Sequence, residues 1–163
     1  MASGNRMALF LPYDNEPPAA NYATLDHRNV HPVLDFDATT NESAVFTNKL
    51  PDNYSGGGLT VRIGYSMTSA VADTVDWDAE IERIGDSQLD IDADSFAAAN
   101  SVDNTTVPAT AGHVDVVVIT FTDGADMDSL AAGEMFRIRI TRDAANDDAT
   151  GDAELHLVEI LET

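Results

Sequence analysis

The sequence contains no cysteine, and lysine is reduced to a single residue, Lys49. Without thiols the chain has neither disulfide staples nor thiolate metal sites, and its redox compartment leaves no trace in the sequence. No apolar run approaches the length of a membrane span. The apolar patch at residues 8–11 ends at Pro12 and is too short for a secretory signal. Cations are scarce as well. Eight Lys and Arg face 29 Asp and Glu, a formal net charge of -21. That balance excludes a general nucleic-acid binder and an anionic membrane surface as partners, because both need a cationic field. Helical periodicity is nearly missing, and no internal repeat is visible.

The acidity is mostly aspartate, 21 Asp against 8 Glu. High net charge ordinarily points to disorder. Here 44% of the residues are hydrophobic and fall in alternating runs, so the chain folds against a self-repulsion that salt screens. Lysine depletion beyond what solubility needs points to saline water, and so to a halophilic protein.

Period-two alternation is the dominant pattern. Leu59, Val61, Ile63, Tyr65 and Met67 fall on one strand face, as do Val75, Trp77, Ala79 and Ile81. Phe136, Ile138 and Ile140 alternate with outward Arg137 and Arg139. Residues 33–36, 43–47 and 95–102 are weaker strand candidates. Residues 114–121 and 155–161 are apolar on both faces. Turn signals stand between these runs, at Pro51 to Asn53, Gly56 to Gly58, Gly85-Asp86, Asp123-Gly124 and Gly151-Asp152. A helical turn is expected over residues 126–132, stopped by Gly133. About eight strands at this spacing predict an all-β chain, an antiparallel β-sandwich of jelly-roll type, over residues 31–163. Residues 1–30, rich in Pro and poor in core residues, read as an extended N-terminal arm that lies on a neighbouring chain. Met7, Leu9 and Leu11 alternate there and would add a strand to a sheet edge.

The chemistry-bearing residues give no catalytic, cofactor-binding or metal site. His27, His31, His113 and His156 stand in no zinc-binding spacing. There is no GxSxG nucleophile elbow, and the Gly56 to Gly58 run lacks the Lys-Ser/Thr of a phosphate loop. Asp90, Asp92 and Asp94 copy the start of an EF-hand loop, but Ser95 stands where Gly belongs and Ser101 where Glu belongs. They read as a solvated acidic loop, with a calcium site outside the EF-hand pattern left open. The acidic stretch from Asp143 to Asp152, with Asp147 and Asp148, reads the same way. Among aromatics, Tyr65 and Trp77 fall in register with the core, leaving Tyr54 as the exposed ring for a glycan. Sequons at Asn41, Asn53 and Asn104 have meaning only in a eukaryotic secretory pathway. The chain is expected to be no enzyme.

Five phrases occur in a telling order: Pro32-Val-Leu-Asp-Phe-Asp37; Leu50-Pro-Asp-Asn-Tyr-Ser-Gly-Gly-Gly-Leu-Thr-Val61; Val75-Asp-Trp77; the run from Leu130 to Asp143; and Gly151-Asp-Ala-Glu-Leu155. Over about residues 31–161 this resembles small β-sandwich virion proteins of tailed bacteriophages from marine and saline waters, head decoration (cement) proteins and related fibre-tip domains. The resemblance implies a jelly roll, a homotrimer, on the outer capsid surface, with the major capsid protein as partner and no cofactor. Its alternative is a receptor- or glycan-binding fibre tip. The doubly apolar segments fit an oligomer. With Leu155, Leu157 and Leu161 inward, His156, Val158 and Ile160 are left over. With Val117, Ile119 and Phe121 inward, Val114, Val116 and Val118 are left over.

Overall fold

The computed structural model describes residues 4–87 and 90–163. Ten strands form it: β1 Arg6–Phe10, β2 Thr24–Arg28, β3 His31–Phe36, β4 Glu42–Lys49, β5 Leu59–Met67, β6 Thr74–Ile84, β7 Asn100–Thr106, β8 Asp115–Phe121, β9 Met135–Arg142 and β10 Ala153–Glu162. One sheet runs β2-β3-β10-β5-β8, with β1 added alongside β10; the other runs β4-β9-β6-β7. Every strand pair is antiparallel. This is the antiparallel β-sandwich of jelly-roll type that the alternation predicts.

The alternating residues bury where period two puts them. Leu59, Val61, Ile63, Trp77, Ala79, Ile81, Phe136, Ile138 and Ile140 are all inaccessible to solvent. Trp77 is the centre of the core. The Phe36 and Tyr65 rings meet it edge-on at 5.2 and 5.4 Å between centroids. On the outer face of the second sheet, Arg139 pairs with Glu80 and Arg137 with Glu82 across β9 and β6. Phe96 lies over both guanidinium groups, at 4.5 and 5.2 Å. Residues 95–99, expected to begin a strand, are therefore an irregular cover, and β7 starts at Asn100.

Three expectations are corrected. First, residues 4–30, expected to lie as an extended arm on a neighbouring chain, are built into the sandwich of their own chain. β1 pairs with β10, and Met7, Ala8 and Phe10 are buried in the common core. Residues 15–23 then bond along the edge of β4: Glu16 N–H to the Val45 carbonyl (2.8 Å), Val45 N–H to Asn15 Oδ1 (3.0 Å) and Ala23 N–H to the Ser43 carbonyl (3.0 Å). Proline removes donors from this segment without stopping the remaining amides from pairing. Two strands, β1 and β2, are thus added to the expected eight. Second, β10 changes parity. A register irregularity between Leu155 and Leu157 turns Ala153 and Leu155 inward on one side and Val158 and Ile160 inward on the other. The extra residue of a bulge moves the alternation to the opposite face. Leu157 is left outside, against Gly64, where an added Cβ would stand 3.3 Å from Leu157 Cγ. Third, the helical turn is shorter than expected. A 3-10 turn, Ala125–Met127, ends in two successive left-handed residues, Asp128 and Ser129.

Candidate functional site

The N-terminal segment builds a cleft beside β2. Its first wall is the 3-10 turn Pro12–Asp14, closed by Asp14 Oδ2, which accepts the Leu11 N–H at 2.7 Å. This turn points Tyr13 outward, its hydroxyl 2.9 Å from His27 Nε2. The second wall carries Tyr22, set by the left-handed Asn21 (φ 51°) and by a bridge to Ser43. Tyr13 and Tyr22 are 64% and 47% exposed. Between them lies a cleft of about 270 Å³ with Pro12 and Leu25 on its sides and the fully buried Leu34 on its floor. Asn15 and Thr24 add neutral polar groups. No charged side chain lines it, in a chain of net charge -21. Two exposed rings over an apolar floor, rimmed by hydroxyl, amide and imidazole groups, match a ligand with apolar faces and hydroxylated edges. Asn15 and Glu16 beside the first wall, and Asn21 and Ala23 beside the second, are bonded to β4.

A second cleft, about 370 Å³, lies on the outer face of the first sheet between Arg28, His31, Gly112 and His156. Arg28 crosses that face from β2, bonding the Met67 carbonyl (3.0 Å) and pairing with Glu154. Gly112 is what admits it: a Cβ there would stand 2.9 Å from Arg28 Nη2, and its φ of +80° suits glycine. Behind the cleft, Ser66 Oγ stands 3.0 Å from Glu154 Oε2 and 2.9 Å from His156 Nε2. The hydroxyl has one proton, and a carboxylate only accepts. Ser66 therefore donates to Glu154 and accepts from His156 Nε2–H. This order is unlike that of a hydrolase triad, where the carboxylate holds the imidazole and the serine faces substrate. Here the carboxylate holds the serine, which is fully buried. Burial lowers the His156 pKa, with Glu154 acting against it.

The remaining sequence-singled residues fall elsewhere. Tyr54 is buried, not exposed. Its hydroxyl donates to Asp123 (3.0 Å) and accepts the Gly58 N–H (2.9 Å), and burial pushes its pKa up to about 12. The Asp90 carbonyl accepts the Ala93 and Asp94 amides, and Asp90 Oδ1 accepts that of Asp92. The three aspartates thus make a self-bonded turn. Among the described residues no group of three or more His, Asp or Glu is placed to hold a metal ion. His27 bonds the Tyr13 hydroxyl beside the tyrosine cleft, His31 and His156 share the second cleft, and His113 is exposed beside Gly112. The useful rings, Tyr13 and Tyr22, lie in the segment read as an arm. Their signal was the neighbouring Pro12, Pro17 and Pro18, which keep a chain extended and its rings uncovered.

Asp35, on the same outer face, gives a pH signature. Burial, then the charges of Asp152, Glu154, Asp26 and Glu42, push its pKa up to about 6 from the usual value near 3.8. Between those pH values the native state holds the proton more often than the unfolded chain. Stability from this residue is therefore present at pH 4 and lost as pH rises to 6 and above. In urea titrations at pH 4.5 and 6.5, Asp35→Asn is expected to flatten the pH response by about 1–2 kcal/mol, after discounting for partial solvent exposure. Equal slopes in the two proteins would disprove it.

No family model matches the chain, and no curated protein matches it. Solved structures do. A family 35 carbohydrate binding module from an environmental isolate is similar over 94% of this chain and 92% of its own, with a TM-score of 0.57 and 12% identity. A family 29 carbohydrate binding module from Piromyces equi covers 98% of this chain and 88% of its own (TM-score 0.41, 10% identity). The adhesin domain of Lys-gingipain from Porphyromonas gingivalis covers 98% and 97% (TM-score 0.43, 10% identity). At such identities the likeness is one of fold.

Proposed function

We propose that this chain is a non-catalytic carbohydrate-binding module whose ligand is a neutral glycan held between Tyr13 and Tyr22. The observation that carries the reading is the uncharged cleft with two exposed tyrosines in an otherwise strongly acidic molecule. A pyranose ring presents C–H groups on its faces and hydroxyls around its edge. The tyrosine rings offer partners for the faces, and Asn15, Thr24, His27 and the tyrosine hydroxyls for the edges. The fold is that of a structure named as a carbohydrate binding module, which supports the same reading. Binding without chemistry is in keeping with the buried Ser66 and the reversed order of its partners.

Decoration of a virion shell, with the major capsid protein as partner, rests on the sequence resemblance and the acidity. The segment that would grip a shell is engaged in its own sheet. A glycan ligand is thus the function the geometry supports better, and on a virion it would belong to a fibre tip.

A glycan array followed by calorimetry tests the proposal. Tyr13→Ala and Tyr22→Ala are each expected to weaken the best neutral ligand about 10-fold, the size of one stacking contact of about 1.4 kcal/mol. A chelator should leave binding unchanged. No neutral glycan bound, or full affinity in both variants, would refute the assignment.

A further inference from the structure

The hairpin from β2 to β3 turns in two residues, Asn29 and Val30, between the paired Arg28 and His31. Both turn residues have positive φ, 46° and 61°. Asparagine tolerates that conformation, and glycine is its usual companion in such a turn. A β-branched residue there is strained. Val30 is also 88% exposed, so no packing within the fold offsets the strain. Strain retained in this way is a feature of functional positions. The two chain neighbours of Val30, Asn29 and His31, line the cleft of about 370 Å³ together with Arg28, Gly112, Val114 and His156.

That cleft holds unused hydrogen-bonding groups in a fixed arrangement. Arg28 is anchored by Nη1, which donates to the Met67 carbonyl and to Glu154. Its guanidinium lies flat against Gly112, where an added Cβ would stand 2.9, 3.1 and 3.2 Å from Nη2, Cζ and Nε. By their Nε–Nη2 edges, Arg83, Arg139 and Arg142 each clamp both oxygens of a carboxylate. In Arg28 the same edge has no hydrogen-bond partner among the described residues, and neither nitrogen is buried. His156 is its complement. The His156 Nε2–H is given to Ser66 Oγ, which leaves Nδ1 as an acceptor while the ring is neutral. Burial lowers the His156 pKa and so keeps the ring neutral at pH 7. Glu154 already neutralises Arg28, and Asp26, Asp35 and Asp152 stand beside Glu154, so an anion would be repelled. The cleft suits a neutral group with an acceptor, a donor and an apolar end.

We propose that this cleft is a second ligand site, for a neutral sugar that carries an acetamido group. The acetamido carbonyl oxygen accepts from the Arg28 Nε–Nη2 edge. The acetamido N–H donates to His156 Nδ1, and the methyl rests on Val30 and Val114. Asn29 and His31 serve the ring hydroxyls. A ring hydroxyl can also accept and donate, but it brings no apolar end to the two valines. The site shares no residue with the tyrosine cleft and does not depend on it.

The test is calorimetric titration of the full chain carrying Tyr13→Ala and Tyr22→Ala, which silences the first cleft whether or not it takes sugar. The probes are N,N′,N″-triacetylchitotriose, cellotriose and glucuronate, and only the first is expected to bind. Arg28→Lys on that background keeps the charge opposite Glu154 but loses the fork, and should weaken binding about 10-fold or more. Val30→Gly should weaken it about 3-fold without lowering the melting temperature, because glycine takes the turn unstrained. This second variant decides the matter if Arg28→Lys loses its far-ultraviolet β signal. No binding of the acetylated trimer, equal binding of cellotriose or glucuronate, or full affinity in the Val30→Gly variant or in a folded Arg28→Lys variant would overturn the proposal.

Discussion

Arg142→Met is expected to destabilise the sandwich by about 3–5 kcal/mol, the effect of stranding a buried charge. Arg142 is completely buried at the end of β9. All five of its donors are used. Nε and Nη2 hold Asp147 at 2.8 and 3.2 Å, Nη2 also reaches the Ala149 carbonyl at 2.9 Å, and Nη1 reaches the carbonyls of Gly151 at 2.8 Å and Phe36 at 3.3 Å. The stretch from Asp143 to Asp152, which reads as a solvated acidic loop, is therefore folded around this guanidinium, with the Asp147 side chain 1% exposed. Methionine fills much of the volume but leaves a carboxylate and three carbonyls without donors. The midpoint should fall by about 6–20 °C, given about 2–4 °C per kcal/mol for a domain of this size. Arg142→Met with Asp147→Asn should recover part of the loss, because the stranded charge is gone while the carbonyls stay unpaired. A single variant that melts within about 2 °C of wild type would show that the loop, not the arginine, holds itself.

Deleting residues 1–11 is expected to be at least as damaging, and to unfold the protein or leave it barely folded at 25 °C. If the segment were an arm for a neighbour, its loss would spare the sandwich. Instead β1 carries Met7, Ala8 and Phe10 into the core, and the Phe10 ring stacks on Phe46 of the opposite sheet at 5.1 Å between centroids. Truncating one buried phenylalanine costs about 3–5 kcal/mol. Deletion adds the loss of Met7 and of the β1–β10 hydrogen bonds, and it opens the edge beside Val158 and Ile160. The sum rivals the whole stability of an ordinary domain, about 5–15 kcal/mol. Phe10→Ala is the graded version and should lose about 3–5 kcal/mol by itself. Denaturant titration of both reads the result. A truncated protein with an unchanged midpoint would return the segment to the status of an arm.

The sandwich was legible because its signal is local. In β5, in β6 from Val75 to Ile81 and in β9 from Phe136 to Ile140, the inward-facing residues are apolar, and period two alone assigns Leu59, Trp77 or Ile138 to the core without knowledge of which strand lies next door. The exposed valines of β8 were legible for the same reason: once Val117 and Ile119 point inward, Val116 and Val118 must point out. Parity in β10 was not legible, since a single bulged residue reverses it and both parities of the run from Leu155 to Leu161 are apolar. Nor was the role of Arg142, which continues the alternation of Arg137 and Arg139 by type but lies in the opposite register and buries. Tyr13 and Tyr22 belong to the same class. Nothing in the residues around them says that β4 offers a free edge, and it is that edge, supplied by residues more than twenty positions away, that holds the two rings apart over Leu34. Sequence by itself determined which residues alternate, and hence the sheets and their core. Which edges were left open, and so where the N-terminal segment could lie and what cleft it would form, was decided only in three dimensions, because backbone hydrogen bonds between distant strands leave no periodic trace in the chain.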